Sequence, residues 1–221
     1  MIPWETLDTA AIPGGSETLR LKRRGGEFSI MLGANELMNS RLSGSEEALA
    51  RLAIERLAAP APRVLIGGLG LGFTLRAALR LLPPAARVTV AELVPAVVAW
   101  ARGPLAALHG GSLDDPRVTI VEADVAAAMR AGPWDAILLD VDNGPEGLSR
   151  AGNDALYSAA GLAAARAALA PGGVFSVWSA GPDPAFARRL RNAGFAVDEI
   201  PVRAGTTKRG ARHVVWVGRR G

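Results

Sequence analysis

Val64-Leu65-Ile66-Gly67-Gly68-Leu69-Gly70-Leu71-Gly72 reads as a short apolar strand that ends in a glycine-rich turn. Further along, Val88-Thr89-Val90-Ala91-Glu92 reads as a second apolar strand that ends in a lone carboxylate. Glycines let the backbone approach a ligand where a Cβ would clash. An acid at the tip of the following strand accepts hydrogen bonds from ribose hydroxyls. Together the two stretches decide the fold, because this is how a doubly wound α/β domain holds a nucleoside. Gly68, Gly70, Gly72 and Glu92 are therefore the first candidate cofactor-binding residues.

Outward from this pair the chain alternates. Strands are expected at 64–67, 88–92, 118–121, 136–140 and 174–178, with helices near 72–82, 94–108, 123–131 and 155–170. The strands are continuous apolar runs, as in a parallel sheet covered on both faces. The alternation predicts an α/β fold with a mostly parallel, seven-stranded, doubly wound sheet. A helix at 184–193 and two closing strands, 195–202 and 213–218, complete it. Residues 1–43 differ. Leu19 to Lys22 and Phe28 to Leu32 read as a hairpin around Arg24-Gly25-Gly26-Glu27, and define a small N-terminal β unit. Residues 44–221 form the nucleoside-binding catalytic domain. It opens with a helix capped by Ser45, with Glu46 and Glu47 in its first turn.

Composition narrows the function. The 221 residues, 49% hydrophobic, suffice for a full core. A net charge of +4 from 25 bases against 21 acids gives no reason to expect a nucleic-acid partner. The absence of cysteine excludes disulfides, thiolate catalysis and Cys-ligated metal, and fits a reducing compartment. Met1-Ile2-Pro3-Trp4-Glu5 has neither the basic nor the apolar region of a leader, and no apolar run is long enough to span a membrane. A cytoplasmic location is expected. With His109 and His213 the only histidines, a metal site is not expected. His213 is placed at the start of an edge strand and His109 in a loop.

The glycines follow G-x-G-x-G. A dinucleotide fingerprint needs a small residue where Phe73 stands, and a phosphate-cradling P-loop needs a Gly-Lys-Ser/Thr that is missing. Two further acids follow predicted parallel strands, where ligands bind in open α/β sheets. Asp124 reads equally as a ligand contact and as the N-cap of the next helix. Asp140 follows four apolar residues and precedes Val141-Asp142-Asn143-Gly144-Pro145, a turn at the expected crevice.

In these segments the chain resembles the class I S-adenosylmethionine-dependent methyltransferase fold, and within it the spermidine synthases, over about residues 60–195. Gly68-Leu69-Gly70-Leu71-Gly72-Phe73-Thr74-Leu75-Arg76 is similar to that family's GGGDGGTLR, and Ala91-Glu92-Leu93-Val94-Pro95 to its VELDP. Arg117 to Asp124, Trp134 to Asp140 and Leu169 to Val174 are similar to RVxVxxGDA, FDVIIxD and LxPGGV. The resemblance implies that Glu92 binds the ribose, that Asp124 lies by the adenine amine and that Asp140 is the catalytic carboxylate, with Asp142 as helper. Tyr157 and Trp178 are candidates for the acceptor pocket, although Tyr157 reads equally as packing. The sequence departs from the family at Leu71, which replaces the acid of GGGDGG. It departs again at Ser45-Glu46-Glu47-Ala48-Leu49-Ala50-Arg51, which lacks the Tyr and His of D-E-x-x-Y-H-E. The implied activity is aminopropyl transfer from decarboxylated S-adenosylmethionine to an amine, with no metal. Methyl transfer from S-adenosylmethionine and a catalytically silent nucleoside-binding domain stand as alternatives. A homodimer contact through the N-terminal strands is a further implication of the resemblance.

Overall fold

The computed structural model describes residues 2–141, 145, 155–205 and 210–221. Two sheets organise the chain. Strands β1 (Glu5–Ala11), β2 (Thr18–Arg24), β3 (Glu27–Leu32) and β4 (Asn35–Asn39) form an antiparallel sheet in the order β1-β2-β3-β4. The expected hairpin is its centre. β1 and β4 add a strand on each side, and neither contains a run of buried residues.

Helix α1 (Gly44–Ile54) links this sheet to the second. There β5 (Arg63–Gly67), β6 (Arg87–Glu92), β7 (Val118–Glu122), β8 (Trp134–Leu139), β9 (Leu169–Ser179), β10 (Phe195–Arg203) and β11 (Arg212–Arg220) take the order β10-β11-β9-β8-β5-β6-β7. β9, β8, β5, β6 and β7 run parallel, and β11 is antiparallel to both neighbours. The seven-stranded, mostly parallel sheet is the one expected. The helices are α2 (Phe73–Leu81), α3 (Pro95–Arg102), α4 (Ala106–His109), α5 (Val125–Met129), α6 (Ala159–Ala168) and α7 (Pro184–Asn192). The helix expected over 94–108 is broken at Gly103-Pro104, since proline there removes an amide donor and clashes with the preceding turn.

Three other expectations need correction. Ser43, not Ser45, occupies the N-cap of α1, and it makes no side-chain cap bond; Ser45 lies inside the first turn, where its hydroxyl serves a neighbouring side chain. His213 lies on β11, an interior strand between β10 and β9, because β10 takes the edge. His109 closes α4 and is buried.

The topology positions the site. From β5 the chain steps to β6 and β7 on one side, then returns to β8 on the other. The carboxyl ends of β5, β6 and β8 therefore surround the point where strand order reverses, the crevice in which such sheets bind ligands. The N-terminal sheet packs on the same core: Ile12, Leu19, Leu21, Ile30 and Leu32 are buried in one cluster with Leu69, Leu71, Val94 and Val97. Trp100 Nε1 on α3 donates to Asp8 Oδ2 on β1 at 2.6 Å, tying the two sheets together.

Candidate active site

The glycine turn leaves β5 with positive φ at Gly68 (90°), Gly70 (47°) and Gly72 (79°), a region that L side chains rarely adopt. Space closes the same positions. A Cβ on Gly68 would strike the carbonyl of Asp140, and one on Gly72 the ring of His109. The turn is pinned by the Gly68 amide on the Ala91 carbonyl (2.9 Å) and the Asp140 amide on the Gly67 carbonyl (2.9 Å).

Glu92, at the end of β6, is buried, and its carboxylate holds the turn in place. Oε2 accepts the Leu69 amide at 2.9 Å, and Oε1 accepts the Val94 amide at 2.9 Å. Burial pushes this carboxyl up, while the amide bonds pull it back. The Gly70 and Leu93 amides also act on this carboxylate. Asp124 follows β7 and caps α5, accepting the Ala126 amide at 2.8 Å, and it also lines the cavity.

Asp140 follows β8. Thr74 Oγ1, in the first turn of α2, donates to its Oδ2 at 2.5 Å. Burial, then the negative charge of Glu46, raises this carboxyl to about 7. Asp142 lies outside the described residues.

Two cavities meet at Asp140. One is lined by Gly68, Gly70, Glu92, Asp124 and Asp140, and roofed by Ile12, Leu19, Ile30, Leu37 and Met38 from the N-terminal sheet and its loops. The other is lined by Glu36, Ser45, Glu46, Leu71, Trp178 and His213 together with Gly70 and Asp140. Leu37, Met38, Gly70 and Asp140 line both, and Met38 Sδ packs on Gly70 so closely that a Cβ there would meet it at 2.8 Å. Tyr157 lines neither cavity: it is buried with its ring edge-to-face on Phe186, centroids 5.6 Å apart. Its ring packs on α7 just ahead of α6. Among the described residues, no group of three or more His, Cys, Asp or Glu is placed to hold a metal ion.

Sequence reasoning missed Glu46, Ser45, His213 and Met38 as parts of the site. Glu46 stands at the position that resembles the Glu of D-E-x-x-Y-H-E, and that match was the available signal. His213 gives no local signal, because strand pairing brings it in; Met38 lies in Leu37-Met38-Asn39-Ser40, which is similar to the family's Q-L-S segment without its Gln.

Comparison with known proteins agrees with this geometry. No protein-family model matches the chain. Polyamine aminopropyltransferase 1 of Streptomyces coelicolor is 36% identical over 156 residues, which is 66% of this chain and 28% of that protein. The polyamine aminopropyltransferase of Mycobacterium tuberculosis is 37% identical over 155 residues, again 28% of its length. A crystal structure of spermidine synthase in complex with the transition-state analogue AdoDATO superposes with a TM-score of 0.74, at 21% identity, over 98% of this chain and 72% of that one. The fold is that of the spermidine synthase structures. Thermotoga maritima spermidine synthase gives the same TM-score, 0.74, at 22% identity over 98% of this chain and 73% of its own. Nearly all of this chain (98%) thus superposes on 72–73% of those structures, and it spans a little over a quarter (28%) of the length of the curated relatives it matches. Among the described residues, no helix is long and apolar enough to cross a membrane.

Proposed function

We propose that the chain is an aminopropyltransferase, moving an aminopropyl group from decarboxylated S-adenosylmethionine to an amine. The observation that carries this reading is the meeting of the two cavities at Asp140: one beside the glycine turn, Glu92 and Asp124, and an acid-lined one beyond it. The likeness to polyamine aminopropyltransferases over two thirds of the chain supports it.

In this reading Glu92 accepts the ribose hydroxyls, the glycine turn admits the donor's backbone-side edge, and Asp124 faces the adenine. The donor's carbon next to the positive sulfur lies where the cavities join. The acceptor nitrogen attacks that carbon with its lone pair, the carbon–sulfur bond breaks, and its electrons return to sulfur as a neutral thioether. The new ammonium gives a proton to Asp140. A carboxyl at about 7 suits that task, because a base works best with a pKa near the working pH. Positioning supplies much of the rest, since a sulfonium is already a good leaving group. Trp178 walls the acceptor side, and Asp142 assists Asp140. The cysteine-free sequence accords with work in a reducing cytoplasm, and the N-terminal sheet is the surface assigned to a homodimer contact.

The test is calorimetric titration with S-adenosylmethionine and with its decarboxylated form, followed by incubation with a diamine. Preference for the decarboxylated donor and release of methylthioadenosine are expected. Preference for intact S-adenosylmethionine with methyl transfer would overturn the reading.

A further inference from the structure

A cleft between α2 and the loop 110–117 shares no lining residue with the two cavities at Asp140. Its charged residues are three guanidinium groups, Arg76, Arg80 and Arg117, against one carboxylate, Asp115. Arg117 and Asp115 answer each other. Nε and Nη2 of Arg117 donate to the two carboxylate oxygens at 2.9 and 2.8 Å, and its Nη1 and Nη2 also donate to the Leu82 and Leu79 carbonyls. The bonds from Arg117 hold Asp115 down at about 2, so it stays ionised. Arg76 and Arg80 remain. They stand four apart on α2, where side chains share a face and like charges repel. Arg76 is half-buried and gives Nη1 to the Leu108 carbonyl at 2.7 Å, with no carboxylate in ion-pair range among the described residues. Arg80 is exposed and meets Glu47 at 3.6 Å, beyond a hydrogen bond, and such an exposed pair contributes little.

A second observation points to a ligand. Ser112 is only 6% exposed and lines the same cleft, and its Oγ has no hydrogen-bond partner among the described residues. Buried hydroxyls are nearly always satisfied, and a hydroxyl rotates to suit its partner. Two glycines keep the cleft open beside it. A Cβ on Gly110 would stand 3.9 Å from Arg76 Nε, and the space that a Cβ on Gly111 would take is empty. A cation would be repelled here, and a neutral guest would leave two guanidinium charges unanswered. A tetrahedral oxyanion offers charge to both arginines, whose planar forks suit it, and a further oxygen to the hydroxyl.

We propose that Arg76, Arg80 and Ser112 form a binding site for a phosphate dianion, free or as the end group of a monoester, apart from the site at Asp140.

The experiment titrates the full chain, Ser112→Ala, Arg80→Gln and Arg76→Gln with inorganic phosphate and with glycerol 3-phosphate, using chloride at matched ionic strength as the control, and follows melting temperature alongside. Phosphate or its ester is expected to bind the parent and raise its melting temperature, and chloride to do neither. Ser112→Ala should melt no lower than the parent in phosphate-free buffer, because the hydroxyl that it removes is unpaired, and should bind the anion about threefold or more weakly. Either arginine variant should bind it about tenfold or more weakly, as for loss of a charged hydrogen bond. Should Arg76→Gln fail to fold, the other two variants decide. Tighter binding of the ester assigns the site to an esterified ligand, and tighter binding of inorganic phosphate to the free ion. A parent that binds neither overturns the proposal, and so does unchanged affinity in any folded variant. A drop in the melting temperature of Ser112→Ala without phosphate also overturns it, since the hydroxyl then has a partner in the resting protein.

Discussion

The Asp140 carboxyl, raised to about 7, is ionised in about half of the molecules near neutral pH. In the unfolded chain it titrates near 3.8. The folded state therefore binds the extra proton between those values, and its stability falls as pH rises through that window. Below the unfolded value the penalty is absent, and above about 7 it is complete. Asp140→Asn removes it. The variant is expected to melt higher than the parent at pH 8 and equally at pH 4, as differential scanning calorimetry would read. Its turnover should fall about 10²- to 10⁴-fold, the usual worth of a general base. In the parent, rate should rise with pH through about 7, and Glu46→Gln should move that limb to lower pH, because a negative neighbour is one of the two causes that hold Asp140 up. Glu92 is the opposite case. Glu92→Ala leaves the Leu69 and Val94 amides without their acceptors in a buried turn, at about 1–3 kcal/mol each. It is expected to lower the melting temperature and abolish methylthioadenosine binding in the same protein; calorimetry checks both.

Among the elements, the turn between β5 and α2 has the least freedom. Gly68→Ala sets a Cβ against the carbonyl of Asp140 at a φ of 90°. The end of β8 must then move, so donor binding and turnover should fall together in kinetic assays, while Gly26→Ala, which meets nothing, should be silent. The elements around this turn were legible in sequence because the inner residues of β5, β6 and β8 are largely buried and are mostly Val, Leu, Ile and Ala. β1 (ETLDTAA) and β4 (NELMN) were not, since their mostly exposed faces carry polar residues without a clean alternation. Glu92 and Asp140 were legible because a strand end announces them. Glu46 looked like any acid in a first helical turn, a position favoured by the helix dipole alone. Ser45 was mistaken for a cap for a related reason: a serine near a helix start is ambiguous by one or two residues, and here the hydroxyl had a better partner in Glu46.

For the molecule as a whole, the N-terminal sheet is both core and roof. Ile30 is 1% exposed, belongs to the main core cluster and lines the nucleoside-side cavity. Ile30→Ala is expected to cost about 2–5 kcal/mol in urea denaturation, the range for emptying such a core site, and to weaken methylthioadenosine binding as well. A purely structural role would move only the first of these. The division of labour behind that coupling has a consequence of its own. In the proposed reaction the groups assigned to the sulfonium come from the strand ends of the parallel sheet, whereas Met38 and Leu37, which stand where the two cavities join, come from β4 of the other sheet. On that proposal, selectivity and reactivity are written in different stretches of the polypeptide. A lineage, or an engineer, can rewrite β4 and retune which nucleophile is admitted without disturbing the machinery that makes the leaving group leave.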